Sequence, residues 1–498
     1  MTGRHVVVVG GGLAGISAAI DLRGAGIEVT LLEARPWLGG ATCSFSRGGL
    51  QIDNGQHVFL RCCTAYRDLL AQMGVTGSVA LQDRFDVTVL TPGGRARLRR
   101  SSLPAPLHLA GALARYRLLA PVDRLKVARA MIAMRFARPR APALDGVALG
   151  DWLSARWQRE QARRRLWDLF IVSTLNISGD AASTALAAKV IKTALLESSD
   201  AADIGVPTVP LGRLHGQAAM AKLTRLGADV RVGAKTVAVE PDADGGFSVR
   251  FVSGADGSDP RLTDGQRPAD NANAPLARAG GSRTDAAGAV LRADGVVLAV
   301  PAWASARLAP PAVAAAARWA RLAASPIINV HVIYDRRVTR LPFAAGVDSA
   351  VQWVFDKTRS AGVHPGQYLA VSLSAADDYV DTPTAALRAQ FLPALRQLFP
   401  VAREAQVRDF FVTRERRATF RQAPGCGALR PGAATSLGGL VLAGAWTDTG
   451  WPDTMEGAVR SGLTAAQQMK RQLTGLAPAA GRGQRARLAA QAPAGAPS

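Results

Sequence analysis

The sequence has few cysteines and no long uncharged apolar run. Cysteine occurs at only four positions, with neither metal-ligand spacing nor a secreted disulfide pattern: Cys43, Cys62, Cys63 and Cys426. No metal site is therefore expected. No stretch of about 18 apolar residues free of charge occurs, so a membrane-spanning helix is not expected. The first residues, MTGRHVVVVG, predict a strand at once, which argues against a signal peptide and for a cytoplasmic protein.

Aromatic and acidic residues are also scarce. Aromatics make up 6%, and 38 acidic residues face 60 basic ones, for a net charge of +22. Half of this excess lies between Arg95 and Arg140, where twelve basic residues accompany one acid, Asp123. Apolar residues are interleaved there, which favours peripheral docking on an anionic inner membrane face, with a solvated helical face as the alternative. Nucleic acid is not an expected partner, because no recognised nucleic-acid-binding module occurs.

The length and composition indicate a folded protein with more than one domain. With 498 residues, 48% of them hydrophobic, the chain is too long for one simple core, and two intertwined domains are expected. Helical periodicity predicts helices around 107–137, 147–170 and 183–198. Residues 253–289 and 473–498 have few large apolar residues, which predicts a disordered insertion and a disordered tail.

The clearest motif is a glycine-rich loop between an apolar strand and a helix. His5–Val9 predicts a strand buried on both faces, and Leu13–Arg23 has helical periodicity. The loop fits the dinucleotide-binding pattern G-x-G-x-x-G, which binds a pyrophosphate at the helix N-terminus through Gly10, Gly12, Leu13, Ala14 and Gly15. A second strand, Glu28–Leu32, leads to Glu33, whose carboxylate is expected to bind ribose hydroxyls. These residues alone fit NAD and FAD equally well.

Two further features favour FAD. The stretch after Glu33 resembles the E-A-x-x-x-x-G-G pattern of the flavoprotein superfamily that holds amine oxidases and phytoene desaturases. This resemblance implies cofactor contacts at Glu33, Ala34, Arg35, Gly39, Gly40 and Ala41. Residues 442–462 resemble that superfamily's last strand and helix, whose N-terminus faces the flavin. The implied contacts there are Gly444, Trp446, Thr454, Met455 and Glu456.

Two positions test this resemblance. Many members of the superfamily carry an acidic residue at the position of Ala445, so its absence implies weaker FAD binding or a contact through the backbone. Val237 matches the strand whose backbone packs against the adenine, although a plain core residue is the alternative. The resemblance therefore predicts FAD as the cofactor, with an atypical contact near Ala445.

The stretch Asp53-Asn54-Gly55-Gln56-His57 follows the second glycine loop. In the superfamily this position runs beside the isoalloxazine ring, which implies flavin contacts at Gly55 and His57. The run DNGQHVFL and the run GAWTDTGWPDTMEGAVRSG at 444–462 resemble one branch, the hydroxysqualene dehydroxylases, also called squalene-associated FAD-dependent desaturases. Phe355-Asp356 and residues 416–420 support the same resemblance.

This resemblance implies reduction of hydroxysqualene to squalene in squalene and hopanoid biosynthesis. The substrate is an apolar C30 isoprenoid whose allylic hydroxyl leaves as water, and reduced FAD donates a hydride. Loss of water needs a proton donor, and the candidates are His57, Gln56, Asp53 and Asp448. His57 is alternatively a hydrogen-bonding residue only, and Asp53 a turn cap. The sequence does not indicate which electron donor reduces FAD.

The implied fold class is α/β. A Rossmann-type, glutathione-reductase-like FAD-binding domain would be interleaved with a mixed α+β substrate domain. We expect the FAD-binding domain at 1–80, 205–305 and 435–472, and the substrate and membrane-facing domain at 81–204 and 306–434.

Other activities fit much of the same sequence. A carotenoid-type desaturase needs the same flavin and apolar cavity but moves the hydride in the opposite direction. An amine oxidase is disfavoured, because no pair of aromatic residues stands out as an amine cage. A non-catalytic isoprenoid-binding protein is opposed by the intact glycine motif and Glu33, whereas Ala445 favours it.

Overall fold

A computed structural model describes residues 3–254 and 288–475 of the protein. Its strands in chain order are β1 (His5–Val9), β2 (Glu28–Glu33), β3 (Ser44–Arg47), β4 (Leu50–Asp53), β5 (Phe59–Leu60), β6 (Val79–Leu81), β7 (Asp86–Thr91), β8 (Gly94–Arg99), β9 (Ile204–Pro207), β10 (Asp229–Val232), β11 (Ala234–Pro241), β12 (Phe247–Ser253), β13 (Ala289–Ala293), β14 (Gly295–Leu298), β15 (Ala324–Tyr334), β16 (Phe343–Gly346), β17 (Trp353–Asp356), β18 (Gln367–Leu373), β19 (Val407–Phe420) and β20 (Leu440–Leu442).

The α-helices are α1 (Leu13–Gly24), α2 (Thr64–Met73), α3 (Ala110–Ala114), α4 (Pro121–Phe136), α5 (Pro142–Asp145), α6 (Leu149–Ser154), α7 (Glu160–Ala162), α8 (Asp168–Leu175), α9 (Thr184–Ile191), α10 (Ala218–Arg225), α11 (Ala302–Leu308), α12 (Ala316–Trp319), α13 (Thr358–Ala361), α14 (Thr384–Leu398) and α15 (Met455–Gly475). Three π-helical segments follow or precede them: Arg163–Trp167, Lys192–Leu196 and Gly212–Gln217. Within the described residues, no helix is both long enough and apolar enough to span a bilayer.

A five-stranded parallel sheet carries the glycine loop. Its strand order is β10-β2-β1-β14-β20, and β1 is central because its valines are buried on both faces. Helices α1 and α15 pack together beside the sheet, and a Cβ at Gly462 would lie only 2.1 Å from the Ala14 carbonyl oxygen. The predicted α/β fold class with a Rossmann-type sheet is confirmed. The carboxyl ends of the parallel strands meet at one edge, where such folds bind cofactors.

A seven-stranded, mostly antiparallel sheet forms a second layer, in the order β19-β15-β18-β17-β16-β7-β8. Alternate residues of β15 point to opposite faces of this sheet. Ile328 and Val330 are buried in a core that includes residues of α14, whereas Ile327 and Asn329 line an internal cavity. Strand periodicity therefore gives this sheet one structural face and one face toward the site.

The composition of the two sheets supports our proposed division into discontinuous domains. The parallel sheet draws its strands from 5–33, 229–232, 295–298 and 440–442, and the antiparallel sheet draws its strands from 86–99 and 324–420. The two sets alternate along the chain, as the proposed interleaving requires.

Some predicted elements differ in detail from the structure. The predicted helix 107–137 is interrupted, because α3 ends at Ala114 and α4 starts at Pro121, a residue that fits only the first turn of a helix. The predicted helices 147–170 and 183–198 are divided into shorter α-helical and π-helical segments. Of the two segments predicted to be disordered, residues 255–287 and 476–498 lie outside the described residues. The tail boundary at 473 is wrong, since α15 continues to Gly475.

Candidate flavin and substrate site

The first glycine loop has the geometry of a phosphate cradle. Gly10 follows β1 with φ +109°, and a Cβ there would lie 2.4 Å from the Ala299 carbonyl oxygen. A Cβ on Gly15 would lie 1.9 Å from the Gly10 carbonyl oxygen, so neither position accepts a side chain. Gly12 is the N-cap of α1 and has no side chain to cover the first N–H groups. Leu13 and Ala14 are buried in the first turn, and the open helix end can bind a pyrophosphate.

Glu33 is held beside this loop by backbone hydrogen bonds. Its Oε2 accepts from the Gly11 N–H at 2.6 Å, and its Oε1 accepts from the Arg35 N–H at 2.8 Å. A carboxylate has about four acceptor sites, so both oxygens retain capacity for ribose hydroxyls. Ala34, also predicted to contact the cofactor, is exposed at the end of β2. The carboxylate thus fits the predicted role of a ribose anchor.

The second glycine loop packs directly against the first. Gly39 donates from its N–H to the Gly11 carbonyl at 2.8 Å, and the Arg35 guanidinium donates to the Gly40 carbonyl at 2.8 Å. Gly40 has φ +58°, and a Cβ there would lie 2.9 Å from the Gly12 Cα. Only glycine permits this approach of two backbones. The geometry therefore allows the second loop to lie over the phosphate region.

Some residues of the C-terminal motif line the cavity, and others are buried in the core. Thr454 and Met455, at the start of α15, line the cavity. Gly444 follows β20 with φ +142°. The Trp446 indole does not face the cavity, because it is buried and its Nε1–H donates to the Val300 carbonyl at 3.0 Å. The indole therefore has a packing role, and the predicted cofactor contact of Trp446 stays a prediction for its backbone.

The side chain of Glu456 also has a structural role. It is 1% exposed, and its carboxylate accepts from the Ala65 and Tyr66 N–H groups at 3.2 and 2.8 Å. Arg460 pairs with the same carboxylate at 2.7 Å. These contacts cap the N-terminus of α2 and leave the backbone of Glu456, rather than its side chain, for any flavin contact.

Val237 is exposed, and Ala445 lies in the cavity lining. Val237 sits at a bulge of β11 between Thr236 and Ala238, and its side chain is 44% exposed. The alternative that it is a core residue is therefore wrong. Ala445 lines the cavity, and its carbonyl accepts a hydrogen bond from Arg430 at 3.1 Å.

A mostly apolar cavity of about 400 Å³ starts at the two glycine loops, at Leu13, Gly39 and Ala41, and extends to the antiparallel sheet. This volume lies in the usual range of ligand sites. Its apolar and aromatic walls include Phe59, Leu60, Phe85, Leu169, Phe170, Val190, Leu195, Ile204, Ile327, Phe343, Trp353 and Phe355. The cavity therefore joins the proposed flavin site to a compartment suited to a hydrocarbon chain.

The predicted catalytic candidate Asp53 is a buried ion-pair residue outside the cavity lining. It is 3% exposed, and its Oδ2 lies 2.8 Å from Lys357 Nζ. Its Oδ1 accepts hydrogen bonds from Ser44 Oγ at 2.6 Å and the Leu211 N–H at 2.9 Å. Since both oxygens are engaged in these contacts, the prediction of a catalytic Asp53 is corrected to a structural role. The alternative of a simple turn cap is also wrong.

Asp448 is the second corrected candidate. It is exposed, is not among the residues lining the cavity, and accepts a hydrogen bond from the Gly450 N–H at 3.0 Å. Its own N–H donates to the Pro431 carbonyl at 2.7 Å. The neighbouring carbonyls of Trp446, Thr447 and Trp451 all accept hydrogen bonds from the buried guanidinium of Arg430. This arrangement fixes the loop so that Asp448 faces away from the site.

Gly55, Gln56 and His57 do line the cavity, as predicted. Burial is the main reason why the pKa of His57 falls to about 4, opposed by the charge of Asp53 and reinforced by Lys357. His57 is therefore neutral near pH 7. The amide nitrogen of Gln56 is buried and has no hydrogen-bond partner among residues 3–254 and 288–475. These two side chains are polar groups in a mostly apolar wall.

The loop that carries His57 is supported from behind by strands β15 and β19. Asn329 Nδ2 donates to the Asn54 carbonyl at 3.1 Å. His331, buried in the same strand as Asn329, contacts Tyr368 Oη at 2.6 Å and Thr413 Oγ1 at 3.0 Å. This polar network holds the Asn54–His57 loop against the sheet.

The cavity residues that sequence reasoning missed include Lys189, Asn329 and Asp453. Burial lowers the pKa of Lys189, whose ammonium lies 4.7 Å from the Trp451 ring centre. Burial raises the pKa of Asp453 to about 6. Asp453 lies within the quoted TGWPDTMEG run, so a motif signal was present. Lys189 and Asn329 had none, because only folding brings α9 and β15 to the cavity.

Cys62 and Cys63 are neighbouring thiols at a helix start. They precede α2, and both are half-buried and line the cavity. Their mutual hydrogen bond lowers the pKa of Cys62 and raises the pKa of Cys63 well above its usual value.

Comparison with known proteins supports a flavin site. Residues 13–470 match the family described as flavin containing amine oxidoreductase. The chain is 29% identical over 469 residues to a hydroxysqualene dehydroxylase of Rhodopseudomonas palustris, covering 93% of this chain and 97% of that protein. It is 25% identical over 514 residues to a zeta-carotene desaturase of Zea mays, covering 92% and 82%. The predicted resemblance to hydroxysqualene dehydroxylases is thus confirmed.

Solved structures share the fold at lower identity. Wild-type putrescine oxidase bound to putrescine has a TM-score of 0.65 and 19% identity, covering 94% of this chain and 99% of that one. An oxidoreductase from Methanosarcina mazei has a TM-score of 0.67 and 17% identity, covering 93% and 100%. The glycine cradle, Glu33 and the start of α15 fit a bound dinucleotide flavin, and the prediction of FAD is confirmed. The chain belongs to the flavin containing amine oxidoreductase family.

Proposed function

We propose that this oxidoreductase reduces hydroxysqualene to squalene, with loss of water. The observation that carries the proposal is the mostly apolar cavity, which begins at the glycine loops and ends among aromatic residues of the antiparallel sheet. A long isoprenoid fits such walls because its transfer from water is favourable at roughly 25 cal/mol per Å² of buried apolar surface. The hydroxysqualene dehydroxylases to which the chain is similar support the same substrate.

The cofactor would be held by residues already described. The backbone of the Gly10–Gly15 loop and the start of α1 would bind the pyrophosphate, Glu33 the ribose, and the start of α15 the flavin end. When bound in its reduced form, FAD supplies the hydride that replaces the hydroxyl. The cavity walls exclude water, so that a carbocation left by the hydroxyl is not captured by solvent.

Aromatic residues of the antiparallel sheet would stabilise such a cation. Phe343, Trp353 and Phe355 all line the cavity, and their ring centres lie 6.1 to 6.4 Å apart. Aromatic faces attract cations, most strongly where water is excluded. This cluster supports chemistry that passes through positive charge on an isoprenoid chain.

His57 contributes to the proposed site as a neutral hydrogen-bonding residue. Because burial lowers its pKa to about 4, His57 is almost entirely neutral near pH 7 and has no imidazolium proton to donate. Its position beside Gln56 in the cavity wall suits a contact to the flavin or to the substrate hydroxyl. The low pKa argues against the predicted role of His57 as the acid.

The proposal is tested by incubating the purified protein and FAD with hydroxysqualene, with and without dithionite, and measuring squalene by mass spectrometry. We expect squalene only in the reduced sample. A reduced sample that yields no squalene contradicts the proposal. The control variant Val401→Ser, at an exposed position outside the cavity lining, should behave as the wild type.

A carotenoid-type desaturase is the second candidate function. Similarity to zeta-carotene desaturases favours it, and the apolar cavity accepts a polyene equally well. This activity requires oxidised flavin and removes hydride from the substrate. Desaturation of a carotene by the oxidised protein, together with no reaction of hydroxysqualene, would assign this function instead.

A membrane-facing surface completes the proposal, because hydroxysqualene partitions into bilayers. On α4, Leu125, Ile132 and Phe136 are 66, 58 and 76% exposed, and spacings of seven and eleven residues place them on one helical stripe. Basic residues of α4 lie around them, a combination that suits the anionic inner membrane face. The earlier alternative, a simply solvated face, does not explain three exposed large apolar side chains in one stripe.

Vesicle sedimentation tests this surface. The protein should co-sediment with phosphatidylglycerol vesicles at low salt and less with phosphatidylcholine vesicles. The triple variant L125S/I132S/F136S should lose the interaction, whereas Val401→Ser should keep it. Equal sedimentation of the triple variant and the wild type contradicts the proposed surface.

A further inference from the structure

Asp453 occupies the point where the C-terminal motif meets the cavity. It directly precedes Thr454 and Met455 at the start of α15, and all three residues line the cavity. Its backbone N–H donates to Gln422 Oε1 at 3.0 Å, and its Oδ2 accepts from the Phe420 N–H at 2.8 Å. These bonds fix the carboxyl group against β19.

One carboxyl oxygen of Asp453 remains available. Within the described part of the chain, Oδ1 accepts no hydrogen bond and forms no ion pair, and the side chain is only partly buried. A protonated Oδ1 can therefore donate toward a ligand in the cavity while Oδ2 stays on Phe420. This is the geometry of a positioned acid.

The surroundings make protonation of this carboxyl group easier than that of an exposed aspartate. Burial raises the pKa of Asp453 to about 6, while the Phe420 N–H and the Arg430 charge act in the opposite direction. The other titratable groups that line the cavity are His57, Cys62, Cys63, Lys189, Glu415 and Glu456. Among them, His57 is neutral near pH 7 and Glu456 is ion-paired with Arg460. Asp53 and Asp448 are not among the lining residues.

We propose that Asp453 is the acid that protonates the departing hydroxyl group of the substrate. The inference rests on the proposed dehydroxylation. The proton passes from Asp453 to the hydroxyl oxygen, the carbon–oxygen bond breaks with its electron pair, and water leaves an allylic cation. Reduced flavin, held by the glycine loops and Glu33, would supply the hydride that quenches this cation, so that alcohol and reduced flavin would be converted to hydrocarbon, water and oxidised flavin. Reprotonation of Asp453 restores the starting state.

The decisive variant is Asp453→Asn, which keeps an amide oxygen for the Phe420 N–H but has no acidic proton. A general acid contributes about 10²- to 10⁴-fold to the rate, and we expect a loss of kcat in that range with a small change in KM. The wild-type kcat should fall as pH rises above about 6, with Asp453 as its cause. Asp453→Glu should recover part of the rate and the pH dependence, and Asp448→Asn should match the wild type.

An infrared titration gives a readout that is independent of turnover. In the difference between the wild-type and Asp453→Asn spectra, the carbonyl stretch of a protonated carboxyl group should disappear with a midpoint near pH 6. Asp448→Asn should show the same band as the wild type, and the carboxyl group of Asp168, whose pKa burial also raises to about 6, cancels in the difference because both proteins contain it. Melting temperatures verify that each variant is folded.

The outcomes separate the two proposals. If the reduced wild type makes no squalene, the proposed function fails, and the role of Asp453 fails with it. If the wild type makes squalene and Asp453→Asn does so within a factor of two at every pH, only the role of Asp453 is overturned. A wild-type carboxyl band that titrates well below pH 5 also overturns it.

Discussion

The buried ion pair between Asp53 and Lys357 offers a sharp test of how the cavity loop is held. The two side chains are 3 and 8% exposed, and their charged atoms lie 2.8 Å apart. Removal of one member leaves the other charged and buried, which typically costs about 3–5 kcal/mol. We therefore expect Lys357→Met and Asp53→Asn each to lower the free energy of unfolding by about this amount.

The geometry makes Asp53→Asn a specific change. In the wild type, Oδ1 accepts from Ser44 Oγ and the Leu211 N–H, while Oδ2 faces Lys357. An asparagine that keeps its oxygen at the Oδ1 position retains both hydrogen bonds and turns its NH₂ group toward the lysine. Only the ionic interaction is then lost.

The double variant D53N/K357M tests whether the loss of stability in each single variant comes from an unpaired buried charge. It leaves neither charge in the interior, so it should lose less stability than either single variant. The assay is equilibrium unfolding in urea, followed by tryptophan fluorescence, at pH 7. Losses that simply add in the double variant would falsify the reasoning, because additive effects show that the two side chains do not interact.

An exposed ion pair provides the matched control. Arg416 and Asp381 lie 2.7 Å apart but are 59 and 78% exposed. Pairs of this kind contribute about 0–1 kcal/mol, so Arg416→Met should leave the urea midpoint almost unchanged. A loss as large as that of Lys357→Met would show that burial is not the cause of the effect.

Three further predictions concern the cofactor, the cavity and pH. Gly15→Val should abolish flavin absorbance in the purified protein, since its Cβ would lie 1.9 Å from a backbone oxygen; a yellow, folded variant contradicts the cradle. Ala418→Trp, which fills the cavity, should keep flavin absorbance and lose turnover of hydroxysqualene; unchanged turnover would exclude this cavity as the substrate site. Burial lowers the pKa of His331 to about 3, below its unfolded value of 6.5. Its contribution to stability is therefore complete above pH 6.5 and decreases as pH falls toward 3, by about 1.4 kcal/mol per pH unit. In urea unfolding at pH 7 and pH 5, His331→Gln should lose less free energy of unfolding on acidification than the wild type. An equal loss in both proteins would contradict this prediction.

The local motifs of the N-terminus could be predicted closely from the sequence. The strand His5–Val9, the start of α1 at Leu13 and the position of Glu33 at the end of β2 agree with the structure. Each depends on neighbouring residues: a run of valines, a set of glycines and an acid at a fixed distance. Because these signals are local, they can be recognised in the sequence without knowledge of tertiary contacts.

The roles of individual polar residues could not be predicted in the same way. Asp53, Asp448 and Asp453 have the same side chain and lie in conspicuous motifs. Asp53 is neutralised by Lys357, 304 residues away, and Asp448 is turned outward in a loop organised by Arg430. Asp453 alone of the three reaches the cavity.

The sequence by itself therefore determined the Rossmann-type fold and a dinucleotide site, because backbone geometry and glycine spacing are encoded locally, and the resemblance of its motifs to the flavoprotein superfamily indicated the flavin. The tertiary structure decided which carboxyl group faces the cavity, which apolar residues of α4 stay exposed and where the cavity walls meet. Burial and the partner of each charge govern whether an acid is ionised, and both arise only when distant segments pack together.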